Sequence, residues 1–158
     1  MFFSHARRRS SIATLTATLA LLLSTAVFAA DEVNTDKTGL AIGGYDPVTY
    51  FAADKPAKGD FQITAEHDGA VYRFINEHNR DLFKKNPQRY VPQYGNYCAY
   101  GVAVGQKFSA DPTVWKIMDG KLYLNLNPQI AELFNKDVKG HIAKADQNWK
   151  QIQSKPAK

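Results

Sequence analysis

The chain has 158 residues, with 20 lysines and arginines against 15 aspartates and glutamates. Arg7, Arg8 and Arg9 lie in the first ten residues, so beyond residue 29 the balance falls to 17 against 15, a net of only +2. That balance gives no grounds for nucleic-acid binding. A remainder of roughly 129 residues fits one domain with a real hydrophobic core.

Residues 1–29 are predicted to be a cleavable secretory signal peptide. The arginines come first, then an apolar stretch from Ile12 to Phe28 that is richest at Leu19–Leu23, then the small residues Ala26, Ala29 and Ala30. Cleavage after Ala29 places the slender Val27 and Ala29 at the two restrictive positions. As a membrane anchor the stretch is too short, roughly 25 Å of helix against a core of about 30 Å. Ser11 stands where a twin-arginine signal wants a bulky apolar residue, so Sec export is expected, with the periplasm as destination. No membrane association is expected once the signal is gone, and the sequence leaves the oligomeric state open.

Asp31 to Gly39 is polar and reads, with Ala30, as a flexible lead-in over residues 30–39. The domain proper is expected over residues 40–153, with 154–158 a disordered tail. Gly43 to Pro47 form a turn. Phe61, Ile63 and Ala65 then alternate with polar residues, Asp68-Gly69 supplies a tight turn, and Val71 to Ile75 returns. Val114 to Met118, Asp119-Gly120 and Lys121 to Leu126 repeat that pattern of strand, turn and strand. Asp-Gly between apolar strands is a strong hairpin signal, because both central residues need positive φ. On the second returning strand Leu122, Leu124 and Leu126 share the face predicted to meet the core.

Helices fill the remainder. Asn76 caps one carrying Leu82 and Phe83 that stops before Pro87. Asn127 followed by Pro128 starts another, with Ile130, Leu133 and Phe134 as its stripe. A last helix aligns Ile142, Ala145, Trp149 and Ile152. No internal repeat is read from the sequence. The expected fold is a small single α+β domain, two antiparallel β-hairpins packed with three or four short helices.

The segment Tyr90–Gly105 is unusual, gathering four tyrosines, three glycines and the only cysteine, Cys98. An exported chain with one cysteine makes no internal disulfide, so the thiol is free, metal-bound or paired elsewhere. Gly95 and Asn96 both tolerate positive φ. If a helix starts at Tyr97, the thiol lies in its first turn, where free amides and the dipole would lower its pKa. The alternative is a buried small hydrophobe. Tyr94, Tyr97 and Tyr100 either line a shallow ligand pocket beside the thiol or cover the core edge with wet hydroxyls.

Tyr72, Phe74, Pro87, Tyr90, Pro92 to Gly95, and Tyr97-Cys98-Ala99-Tyr100-Gly101 resemble the YHS domain. The runs Gly44-Tyr45-Asp46-Pro47-Val48, Tyr50-Phe51 and Asp119 to Asn125 make the likeness closer to exported, stand-alone YHS proteins. The resemblance spans about Leu40 to Trp149. It implies a small α+β fold and a metal-binding role, since YHS domains occur within copper-transporting ATPases. Some exported members carry selenocysteine at the cysteine position, which implies redox or soft-metal chemistry at Cys98. Two departures stand out: there is no second cysteine for a two-thiolate site, and Asn96 replaces the family's usual second glycine.

A Cu(I) site would need Cys98 together with His78 or the Met118 thioether. No two of His67, His78 and His141 are at ligand spacing, and each reads more readily as a surface or hydrogen-bonded residue; Met118 reads more readily as packing. No glycine-rich phosphate loop or paired-histidine zinc motif appears, so an enzyme is not the favoured reading. The expectation is an exported module that binds copper or does thiol-redox chemistry at Cys98, its partner a metal ion or small thiol. The alternative is a non-catalytic interaction protein with a tyrosine-rich docking surface.

Overall fold

The computed structural model describes residues 32–52 and 55–157 besides Met1. The signal peptide predicted for residues 1–29 lies outside this body. Two antiparallel hairpins pair β1 (Asp60–His67) with β2 (Ala70–Phe74) and β3 (Asp111–Met118) with β4 (Lys121–Asn125). Their turns have positive φ at Asp68, Gly69, Asp119 and Gly120, as the Asp-Gly signals require. Among the described residues there are six α-helices. Three are substantial: α2 (Glu77–Lys85), α5 (Pro128–Lys136) and α6 (Val138–Ile152). The others, α1 (Thr49–Ala52), α3 (Pro87–Tyr90) and α4 (Ala99–Ala103), are about one turn each. The molecule is therefore the α+β domain expected, with single-turn helices added.

No repeat is read from the sequence, yet the structure has one. Residues Ala41–Tyr90 and Gln93 to α6 trace the same path twice. Each copy opens with three successive left-handed residues, Ile42, Gly43 and Gly44 in the first and Tyr94, Gly95 and Asn96 in the second. Each opening is tied to its own hairpin by one backbone bond, Ala41 N–H to Val71 O at 2.9 Å and Gln93 N–H to Leu122 O at 2.8 Å. Asp46 N–H donates to Ala57 O in one copy, and Cys98 N–H to Phe108 O in the other. The strand registers coincide, including the irregularity after the first pair: Asp60 faces Phe74 and then Thr64 faces Arg73, while Asp111 faces Asn125 and then Trp115 faces Leu124. Asn76 and Asn127 cap the following helices through Asn79 N–H and Ile130 N–H. The copies also share identities in the sequence, Asp60/Asp111, Asp68/Asp119, Gly69/Gly120, Tyr72/Tyr123, Asn76/Asn127, Leu82/Leu133, Phe83/Phe134 and Lys85/Lys136 at one constant offset, with Gly43/Gly95 and Tyr45/Tyr97 one residue out of step.

Two apolar clusters make the core. Tyr72, Phe74 and Phe83 join Leu122 and Leu124 in one, and Tyr94, Tyr97, Tyr123, Phe134 and Ala145 make the other. Thus β4 is buried on both faces: Leu122 and Leu124 point to the first cluster and Tyr123 to the second. Leu126, expected on the core face, is exposed. The predicted α6 stripe holds, with Ile142, Trp149 and Ile152 packed on the second cluster around buried Ala145.

Both ends of the described chain contact the body. In the segment expected as a flexible lead-in, Asn34 N–H donates to Gly95 O at 2.7 Å and Val33 packs on the first cluster. A Cβ at Gly95 would run into the Glu32 carbonyl, so glycine permits this close approach. At the other end, where a disordered tail was expected, the Lys107 ammonium donates to Gln153 O at 2.9 Å and Lys155 O at 2.7 Å. No helix of the described residues is long and apolar enough to cross a membrane.

Candidate functional site: the Cys98 turn

The backbone path to Cys98 is set by the left-handed run before it. Gly95 and Asn96 have φ of 57° and 66°, and Tyr94 joins them at 58°. Asn96 takes the place that Gly44 holds in the first copy (φ 77°), so asparagine sustains the turn that glycine makes there. The chain then extends through Tyr97, and α4 begins at Ala99, making Cys98 its N-cap rather than a first-turn residue.

Cys98 is 1 % exposed. Its thiol donates to Asn125 Oδ1 at 3.7 Å, and Sγ accepts from Gly101 N–H at 3.4 Å. The same Asn125 oxygen accepts from Tyr100 N–H at 3.2 Å. Burial pushes the thiol pKa up, while the backbone N–H groups of Gly101, Leu126 and Tyr100 pull it down; burial dominates. The expectation of a lowered pKa is therefore corrected. The amides expected to favour thiolate are present, but burial of the sulfur removes the water a thiolate needs.

The first copy explains what this pocket is built for. At the position of Cys98 it carries Asp46, 0 % exposed. Asp46 Oδ1 accepts from Val48 N–H at 2.8 Å, and Oδ2 accepts from Ile75 N–H at 2.9 Å and Asn79 Nδ2 at 2.7 Å. Val48 corresponds to Tyr100 and Ile75 to Leu126, the residues whose amides act on Cys98. The Cys98 sulfur thus occupies a nest of backbone donors that elsewhere in this molecule receives a carboxylate. Sequence reasoning missed this equivalence. Its one local trace is the shared order of turn, extended tyrosine (Tyr45, Tyr97) and short helix.

The other predicted site residues do not gather at the sulfur. His78 is exposed on α2, and Met118 is half-buried at the end of β3 against the second cluster. Among the described residues Sγ is instead met by the Asn125 amide oxygen and backbone N–H groups. Among the described residues no group of three histidine, cysteine or acidic side chains could hold a metal ion.

The tyrosines divide. Tyr94 is buried, its hydroxyl donating to Asp146 Oδ1 at 2.9 Å, and it lines an open cleft with Gly95 and Asn96. Tyr97 is 2 % exposed, its ring under the Lys107 ammonium at 4.6 Å, and is core. Tyr100 is half-buried and meets the His141 ring edge-on at 5.1 Å. With Tyr94 and Tyr97 buried, these residues do not form a continuous docking face. No family model, curated protein or solved structure matches the chain.

Proposed function

We propose that the chain is an exported, YHS-like, non-catalytic module whose working group is the Cys98 thiol, used as a redox-responsive cap. The observation that supports this reading is the pairing of Cys98 with Asp46 in equivalent nests of amide donors. A hydroperoxide converts the thiol to a sulfenic acid, its peroxide bond breaking as an S–O bond forms, with water or an alcohol leaving. A second equivalent carries the sulfenic acid to sulfinate. A sulfinate has the charge and the paired oxygens of the Asp46 carboxylate. The amides of Gly101 and Leu126 would receive it, joined by that of Tyr100 if it turns from the Asn125 oxygen, as Val48 N–H serves Asp46 in the first copy. Oxidation would thereby tighten the α4 turn against β4. At rest, burial and a raised pKa keep the thiol slow, so it answers only strong or sustained oxidant.

Titration of the mature protein with hydrogen peroxide, followed by intact mass and thermal unfolding, tests this. The expected result is addition of one and then two oxygen atoms at Cys98 with a rise in midpoint, approached by Cys98→Asp. Oxidation that occurs only after unfolding, or that lowers the midpoint, overturns it and leaves Cys98 as packing. A Cu(I) titration with Cys98→Ser as control addresses the soft-metal alternative. One equivalent bound by the parent and lost in the variant would displace the redox reading.

A further inference from the structure

We propose that the cleft between the lead-in, the first hairpin turn and α6 binds a small organic polycation of the aliphatic polyamine class. This site is separate from the Cys98 thiol. The cleft has a volume of about 730 Å³. Its carboxylates come from three distant segments, Glu32 of the lead-in, Asp68 of the β1–β2 turn and Asp146 of α6, and among the described residues no lysine or arginine lines it. The residues beyond 29 carry a small net positive charge, 17 lysines and arginines against 15 aspartates and glutamates, so this local acidic excess is not a reflection of overall composition. His67 also lines the cleft, its Nε2 3.1 Å from Gln88 Nε2 and 3.2 Å from the Asp68 carboxylate.

A second observation points to a donor-bearing occupant. Asn96, which lines the cleft, is 2 % exposed; its Nδ2 donates to Asn34 O and to the Tyr72 hydroxyl, each at 3.4 Å, and its Oδ1 is buried with no hydrogen-bond partner. A buried acceptor lacking a donor is uncommon and calls for one. An ammonium group at the cleft floor, with a small shift of the carboxamide, supplies N–H donors where the protein supplies none.

The protein also shows how this neighbourhood treats an ammonium. Lys107 Nζ lies 4.6 Å from the Tyr97 ring centroid and 5.9 Å from that of Trp149, and donates to the carbonyls of Gln153 and Lys155. Trp149 and Gln153 line the cleft as well, so an aromatic ring is available to a cation there. The carboxylates do not converge: no cluster of acidic or histidine side chains among the described residues could hold a single metal ion. Acceptors spread along a cleft suit charges spread along a flexible chain, whereas one inorganic ion can meet only one of them.

Calorimetric titration of the mature protein with spermidine tests the proposal, with magnesium chloride at matched ionic strength and a lysine-rich peptide as competitors. Saturable binding at one site is expected. It should weaken at least about fivefold in the Asp68→Asn/Asp146→Asn double variant, whose positions are exposed and keep their hydrogen-bonding shape. Asn96→Gly should weaken it as well while keeping the left-handed turn, as Gly44 does in the first copy. Binding retained in Cys98→Ser keeps this result independent of the thiol proposal. Absence of saturable binding, equal displacement by magnesium, unchanged affinity in the double variant, or tighter binding of the peptide would each overturn it.

Discussion

Replacing Asp46 and Cys98 by alanine, one at a time, tests the equivalence of the two capping positions. Asp46→Ala strands three donors, Val48 N–H, Ile75 N–H and Asn79 Nδ2, around a residue with no solvent exposure. Each buried donor left unmatched costs about 1–3 kcal/mol, so the total is about 3–6 kcal/mol after local relaxation. That is a large share of the roughly 5–15 kcal/mol by which a domain of this size is stable. Cys98→Ala removes a weak sulfur acceptor and leaves a small void, costing about 1–2 kcal/mol. Urea unfolding read by the fluorescence of Trp115 and Trp149 gives both values from the shift in midpoint at constant slope. A cost at Asp46 no greater than that at Cys98 would refute the view that both positions are nests for an anion, filled fully only in the first copy.

Alkaline pH should destabilise the fold progressively. Burial pushes Tyr72 up to about 12 and raises Tyr50, Tyr94 and Cys98. In the unfolded chain these groups lose protons first, near about 8.5 for the thiol and 10 for the phenols, so the stability is full below those values and drains as pH rises toward the folded pKa. A midpoint unchanged between pH 8 and 11 would contradict this. Alkylation of Cys98 should be slow at neutral pH and accelerate many-fold on unfolding in urea; fast labelling of the native protein would show that the burial is transient. Lys107→Met keeps the packing volume but removes the bonds to Gln153 O and Lys155 O. It should cost about 2–3 kcal/mol and release the end of α6, seen as lost amide protection there. Gly95→Ala forces the lead-in away from its turn, and proteolysis ahead of Asn34 should become faster than in the parent.

The features legible in the sequence are those written in a few neighbouring residues. Asp68-Gly69 and Asp119-Gly120 fixed both hairpins, and Asn76 and Asn127 fixed the starts of α2 and α5, because their side chains act on the next backbone amides. The duplication does leave a trace in the sequence, a run of identities at one offset from Asp60/Asp111 to Lys85/Lys136, but it is blurred at the site, where Asp46 answers to Cys98, Gly44 to Asn96 and Phe74 to Asn125, and a one-residue slip separates turn from hairpin. The thiol's acidity was misjudged for a related reason. A helix start is local, but the burial that outweighs it involves Leu124 and Asn125 of β4, remote in the chain. The second buried face of β4 was likewise out of reach, since Tyr123 and Asn125 look like solvent-facing alternation until α4 and α5 cover them. The cleft draws on the lead-in, the first hairpin and α6 together, and no single stretch carries its pattern.

Because β4 lends leucines to one cluster and a tyrosine to the other, neither half of the molecule owns a complete interior. Severed between Val91 and Gln93, the amino-terminal half would lack Leu122 and Leu124, and the carboxy-terminal half would leave those leucines bare. Melting should then be one all-or-none event, with neither half retaining its fold after the other has opened.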